Sequence, residues 1–396
     1  MSEITVLFDL DDTLLCTNMD RFLPGYFKLL GKTLNHLGSE ERITYQIQFA
    51  VEKMVANTDP CKTLKEVFDQ HFYEPLGTTE ETCKDKLNTF YRNEFPHLKG
   101  ITQTKPEASD LVAWCQSMGM TMVIATNPLF PRTATHQRIQ WAGLNPKNFA
   151  FYTTYEDFHF TKPNLTYYAE VLARLGWPEG TSVMIGDSLT LDLLPMKTMG
   201  YQTFLVNPNN EDINQPSGTI SDVKPWMTKL DQNNKRINNH REVNLAILQS
   251  TPAVIDSWLR LSHTEHFLNH LNKKSKQLKP ALVALIKFER EIIQAILEKF
   301  RNKKIKSANC KDPLQKETKI PNPDGDIQSL LCCFLKRRSF NLAMLNELLI
   351  NSPVEGISNP DRQESQKLDE SITAFAQHDR KLLRTCVNML NIYKIY

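Results

Sequence analysis

The segment Ile4-Thr5-Val6-Leu7-Phe8-Asp9-Leu10-Asp11-Asp12-Thr13-Leu14 is an apolar, β-forming run that stops in alternating carboxylates and a threonine. A strand that apolar is buried on both faces, as in a parallel sheet. Its carboxyl end is where open α/β sheets bind ligands. Carboxylates crowded this closely repel one another unless a cation or a proton offsets them, so the run predicts a metal-assisted site at a strand end.

Four further apolar segments read as strands: Met120 to Thr126, Phe149 to Thr154, Ser182 to Gly186 and Tyr201 to Val206. Helical patterns separate them. Pro106 to Met118 sets Ala108, Leu111, Val112 and Cys115 on one face, and Tyr167 to Leu175 does the same with Val171 and Leu172. Alternating strand and helix predicts an α/β fold with a parallel sheet covered on both faces. Residues 16–104 break the rhythm with helix-compatible patterns, such as Ile43 to Val55 and Glu80 to Tyr91, and no convincing strand. An insertion at that point reads as a helical cap over the strand ends, able to exclude water. Residues 208–239, rich in Asn, Asp, Pro and Ser with Trp226 as the main apolar anchor, read as an exposed connector. Beyond them 241–262, 276–301, 327–351 and 368–392 are amphipathic helical segments, with a long polar stretch from Lys303 to Asp326. Four antiparallel helices would bury those faces in a bundle.

At 396 residues the chain exceeds one ordinary domain of about 150 residues, and no apolar run reaches the roughly 18 residues a membrane span needs. Without a basic leader before Ile4 the chain reads as cytoplasmic. Eight cysteines (16, 61, 83, 115, 310, 332, 333 and 386), none in a C-x-x-C pair, fit reduced thiols better than a disulfide framework or a zinc site. The net charge of +2 hides an asymmetry: residues 1–230 hold 20 basic and 27 acidic side chains, residues 231–396 hold 27 and 18. Two units with oppositely charged surfaces follow, able to attract one another or a second copy.

Three other strand ends carry polar groups. The second ends in Thr126 and Asn127, a hydroxyl and an amide suited to an anion, and Lys162 follows the third as a cation just before a helix. The fourth ends in Gly186-Asp187-Ser188, with Asp192 five residues on from Asp187. In a parallel sheet all of these converge on one edge. The acids then hold a hard cation and Thr126 and Lys162 an anionic oxygen group beside it, the requirement for Mg²⁺-assisted phosphoryl transfer.

These motifs, in order Asp9-x-Asp11-x-Thr13, Thr126, Lys162 and Gly186-Asp187-x-x-x-x-Asp192, make residues 1 to about 207 resemble the haloacid dehalogenase superfamily. The resemblance implies a Rossmannoid core (1–15 and 105–207) with a helical cap (16–104). It implies a phosphatase acting on a small phosphorylated metabolite: Asp9 as the nucleophile that forms an aspartyl-phosphate, Asp11 as general acid and then base. Mg²⁺ would be held by Asp9, the Asp11 carbonyl and Asp187, with Asp192 ligating through water or orienting Lys162. Thr126, Asn127 and Lys162 would bind the phosphoryl group. The second acid favours ester hydrolysis over halide displacement, so a 2-haloacid dehalogenase stands as one alternative. A regulatory protein that only binds a phosphorylated ligand stands as the other. One departure is Leu191 where the family often has Asn before the last acid. Arg21 and Tyr26 are candidates for touching substrate from the cap, against simple surface or packing roles.

Residues 240–396 more weakly resemble the DinB-like four-helix bundles, through Arg241 to Leu248, Thr251-Pro252-Ala253, Phe288 to Glu291 and Ala376 to Arg380. That family commonly binds a divalent metal through three histidines. Here Ala284, His378 and Leu382 occupy the aligned positions, and one imidazole cannot make that site. His263, His266 and His270 read as a polar loop rather than a metal site. The basic run Lys299, Arg301, Lys303, Lys304 and Lys306 lacks an aromatic platform and reads as a solvated helix end, which argues against nucleic acid.

Overall fold

The computed structural model describes residues 4–208, 215–230, 237–304, 326–350 and 359–390. The chain divides into two compact units, 1–168 with 178–238, and 169–177 with 239–395.

In the first unit β1 (Ile4–Phe8) leads through a tight turn to β2 (Leu15–Thr17) and the cap helices α1 (Met19–Thr33), α2 (Glu40–Val55), α3 (Leu64–Phe72) and α4 (Glu80–Thr89). Strand β3 (Thr102–Thr104) returns the chain to α5 (Pro106–Ser117), β4 (Thr121–Ile124), α6 (Arg132–Trp141), β5 (Phe151–Tyr152) and α7 (Leu165–Arg174), whose residues from 169 on belong to the second unit. There follow β6 (Thr181–Gly186), α8 (Leu194–Thr198), β7 (Gln202–Val206), β8 (Ser217–Gly218) and α9 (Ile220–Met227). The sheet order is β5-β4-β1-β6-β7-β8, parallel throughout. Thus β1 is central, with Phe8 opposite both Ile124 and Ile185. Strand order reverses around β1, which puts the predicted ligand crevice at its carboxyl end.

Local chemistry starts each cap helix: Asn18, Ser39 and Thr63 each accept a backbone N–H with the side chain, and Thr63 with Glu66 forms a reciprocal capping box. Two features differ from the sequence expectation. The insertion does hold strand: β2 and β3 pair antiparallel and clip its two ends together. Three residues apiece, four of the six polar, are too few to show an alternating pattern. The stretch read as an exposed connector carries β8, a sixth sheet strand, and α9, whose Ile220, Val223 and Met227 are buried in the core. Its sequence signal was the cap, where Asp222 accepts from the Thr219 N–H at 2.8 Å and hydroxyl at 2.7 Å. Part of that stretch, 209–214 and 231–236, lies outside the described residues.

The second unit contains α10 (Arg241–Leu261), α11 (Glu265–Lys304), α12 (Ile327–Ile350) and α13 (Asn359–Leu390). Helices α10 and α11 each pack against both α12 and α13. Arg338, fully buried, is the hub of their interior. It donates to Glu289 Oε1 at 2.8 Å, Asp379 Oδ1 at 2.7 Å and the Leu248 carbonyl at 2.8 Å. Asn341 and Thr251 saturate the two acids from the other side, at 2.9 and 2.6 Å. Helix α11 starts at Glu265, not near 276, so His266 and His270 stand on its first turns rather than in a loop. His270 is used structurally, 2.6 Å from the Leu390 carbonyl. His378 stacks on Phe288, ring centroids 3.5 Å apart. No histidine of this unit belongs to a metal-competent cluster among the described residues. The side chains of Lys299, Arg301, Lys303 and Lys304, and all of Lys306, lie outside what is described.

Candidate active site

Backbone bonds carry the ladder past the strand ends: Asp9 N–H donates to the Ile185 carbonyl at 2.9 Å, and Ala125 N–H to that of Phe8 at 2.7 Å. The ends of β4, β1 and β6 are thereby held side by side. Asp12 then takes a left-handed conformation (φ 56°), which turns the chain toward the cap. Lys105 holds that turn through the carbonyls of Asp12 and, at 3.1 Å, Thr13.

Asp9, Asp187 and Asp192 converge, their carboxylate oxygens all within 4.8 Å of one another. Lys162 enters the same cluster from the loop before α7, with Nζ 2.6 Å from Asp9 Oδ1 and 2.6 Å from Asp192 Oδ1. Asp192 sits in a π-helical turn, Leu189–Leu193, where its second oxygen accepts the Ser188 N–H at 3.1 Å. Such turns often mark functional sites. Gly186 makes the approach feasible, because a Cβ there would overlap the Asp192 carboxylate. Thr13 links the first motif to the last, its hydroxyl donating to Asp187 Oδ1 at 3.3 Å.

Burial, then repulsion from Asp9 and Asp192, pushes the Asp187 carboxyl up to about 7. Burial also raises Asp192 to about 6, although Lys162 pulls the other way. Burial opposes the Lys162 charge too, but Asp192 and Asp9 outweigh it and hold the ammonium well above the usual lysine range. One lysine against three carboxylates leaves two formal negative charges. With only oxygen donors, the cluster suits a hard divalent cation.

The other sequence-derived residues fall in different places. The carboxylate of Asp11 is outside the acidic cluster; it accepts from the Thr17 hydroxyl at 2.8 Å and pairs with Arg138. The Asp11 side chain is thus engaged away from the cluster. Thr126 is buried at the end of β4, and its carbonyl accepts from Thr153 and Tyr167 at 2.5 and 2.7 Å. The Asn127 side-chain oxygen accepts the Lys162 backbone N–H at 3.3 Å, so it positions the lysine loop rather than serving solely as an anion donor. Arg21 is exposed and does not line the cavity; Tyr26 does line it, its hydroxyl 2.8 Å from that of Tyr91.

A cavity of about 360 Å³ opens on Asp9, Thr126, Lys162 and Asp187 and extends beneath the cap. Arg138, which sequence reading missed, lines it from α6 while 1% exposed and lies 4.7 Å over the Phe130 ring. Burial brings its guanidinium down to about 10, against the attraction of Asp9. The available signal was its spacing: Arg138 is four residues after Ala134, on the face of α6 that is buried.

The sequence matches no curated protein. Among solved structures it is similar to a haloacid dehalogenase-type phosphatase from Thermococcus onnurineus (20% identity, 57% of this chain and 98% of that one, TM-score 0.37). It is likewise similar to the putative hydrolase YfnB from Bacillus subtilis (21%, 58% and 99%, 0.37). A third is a 2-haloacid dehalogenase from Pseudomonas syringae pv. Tomato (17%, 58% and 99%, 0.41). The family model of the haloacid dehalogenase-like hydrolases matches residues 5–200, the span that carries β1, β4, β5 and β6 of the sheet, the cap and every acid of the cluster. That part of the chain belongs to the haloacid dehalogenase-like hydrolases.

Proposed function

We propose that the chain is a Mg²⁺-dependent phosphomonoesterase that works through an aspartyl-phosphate, its substrate a small phosphorylated metabolite. The observation that carries this reading is the undercompensated cluster of Asp9, Asp187 and Asp192, shared with Lys162 and opening onto a cavity. When bound, Mg²⁺ supplies the positive charge that lets a phosphoryl group approach three carboxylates. Lys162 and the Thr126 region hold the phosphoryl oxygens. An oxygen of Asp9 attacks phosphorus, the ester P–O bond breaks, and the leaving oxygen takes a proton from Asp11. Asp11 then takes a proton from water, whose oxygen displaces Asp9 and releases orthophosphate. Asp11 is held in place by the Thr17 hydroxyl and Arg138. The seven described cysteines are free, which suits a reducing compartment such as the cytoplasm.

The test is orthophosphate release from phenyl phosphate by the full chain with Mg²⁺ and with a chelator. Metal-dependent release that Asp9→Asn abolishes is the expected result. Halide release from a 2-haloacid without Mg²⁺ would replace this reading with displacement at carbon. Tight binding of a phosphate ester without turnover would replace it with a regulatory role.

A further inference from the structure

We infer that the cavity selects phosphate monoesters of hydrophobic alcohols, such as alkyl chains, over sugar phosphates. This rests on the phosphatase reading above and concerns the part of the substrate that does not react. Away from the acids the cavity is walled by the cap: Leu23, Phe27 and Leu30 from α1, Ile47 and Val51 from α2, and Phe68 from α3. A space of about 360 Å³ is of the size that holds a small ligand. Apolar hollows stay dry and take apolar guests.

The polar side chains among those walls offer a hydroxylated substrate little. Tyr26 and Tyr91 hydrogen-bond each other at 2.8 Å, and burial raises both hydroxyls, Tyr26 to about 12 and Tyr91 well above its usual value. Arg138 is stacked on Phe130 and set against Asp11, but its guanidinium nitrogens make no hydrogen bond among the described residues, so it is a donor open to one polar group of a substrate. Tyr73 and Tyr155 also line the hollow, both with hydroxyls raised by burial, while Asn127 and Ser188 lie with the acids at its mouth. The apolar walls offer the hydroxyls of a hexose no partner, and each left without one loses its hydration for nothing. A methylene chain loses nothing there and gains its transfer from water.

The experiment measures kcat/KM of the full chain with Mg²⁺ for butyl, hexyl, octyl and decyl phosphate, below their micelle concentrations, beside glucose 6-phosphate and phenyl phosphate. The expected result is a rise of about fourfold per methylene until the hollow is full, then a plateau. A flat series, or glucose 6-phosphate turned over as well as octyl phosphate, would overturn the inference. Val51→Phe and Leu23→Phe, which occupy the hollow, should each move the plateau to a shorter chain. An unmoved plateau in both would also overturn it. If no ester at all is hydrolysed, the phosphatase reading fails separately, and calorimetry with octylphosphonic and methylphosphonic acids still decides this one. Octyl binding at least about a hundredfold tighter supports it, and equal binding overturns it.

Discussion

Asp9, Asp187 and Asp192 share one lysine at the mouth of a cavity, whereas Glu289 and Asp379 share Arg338 in the interior of the helical unit. Both clusters are groups of like charges around a single cation. In the helical unit Arg338 bridges the acids, and Asn341 and Thr251 complete them. Burial would weaken the Arg338 charge, but Asp379 and Glu289 hold it above the ordinary arginine range. At the sheet edge the cation is insufficient, and burial together with the repulsion of Asp9 and Asp192 raises Asp187 to about 7. Closed ion clusters fix a fold, and open ones are left for a ligand to close.

The comparison predicts opposite behaviour on mutation. Asp9→Asn should lower kcat on phenyl phosphate by about 10⁴-fold or more with little loss of stability. Asp379→Asn should do the reverse, and steady-state kinetics beside urea unfolding reads both. An equal loss of rate in the two variants would break the contrast. Next in size, Arg338→Met leaves two buried acids unpaired and should cost about 3–5 kcal/mol in the unfolding of the helical unit. Replacing Glu289 and Asp379 by Leu in the same chain should recover most of that cost. A loss under about 1 kcal/mol for the single change would show that the cluster is not closed.

Smaller effects sharpen the other side. Asp187→Asn removes a carboxylate that its neighbours repel, so the metal-free variant should be more stable at pH 8, by about 1 kcal/mol after allowance for solvent screening. Thermal unfolding with and without Mg²⁺ checks this, since the gain should vanish when the metal is present. The pH dependence follows from the same shift. A carboxyl that titrates near 7 when folded and near 3.8 when unfolded binds an extra proton in the native state between those values. Metal-free stability from this group is thus full at low pH and falls as pH rises from about 4 through 7, by less than about 1.4 kcal/mol per unit. Saturating Mg²⁺ should flatten that part of the profile, as denaturant unfolding at pH 5, 6, 7 and 8 would show.

The strands that form the site were legible because each is an uninterrupted apolar run ending in a polar residue, as Phe8-Asp9 and Gly186-Asp187 do. The convergence of Asp9 and Asp187 followed from parallel topology, while Lys162 reaches them from a loop and Asp192 from a π-helical turn. What could not be read depends on distance in space or on elements too short for a period. Arg138 carries no motif, and only folding sets it beside Asp11 and Phe130. The β2–β3 clip is three residues a side, and α9 follows a segment whose composition signals turn. The cap helices were visible as helices, but nothing in their pattern separated side chains that line a hollow from those that fill a core.

Gly186 brings a last consequence, one of heredity rather than chemistry. The Asp192 carboxylate lies where a side chain on residue 186 would begin, and Asp192 in turn grips the ammonium that reaches Asp9. A one-methyl change at this glycine would be felt two side chains away. A screen of random variants for full expression without turnover should therefore return codon 186 beside those of the acids, although its residue has no functional group to lose.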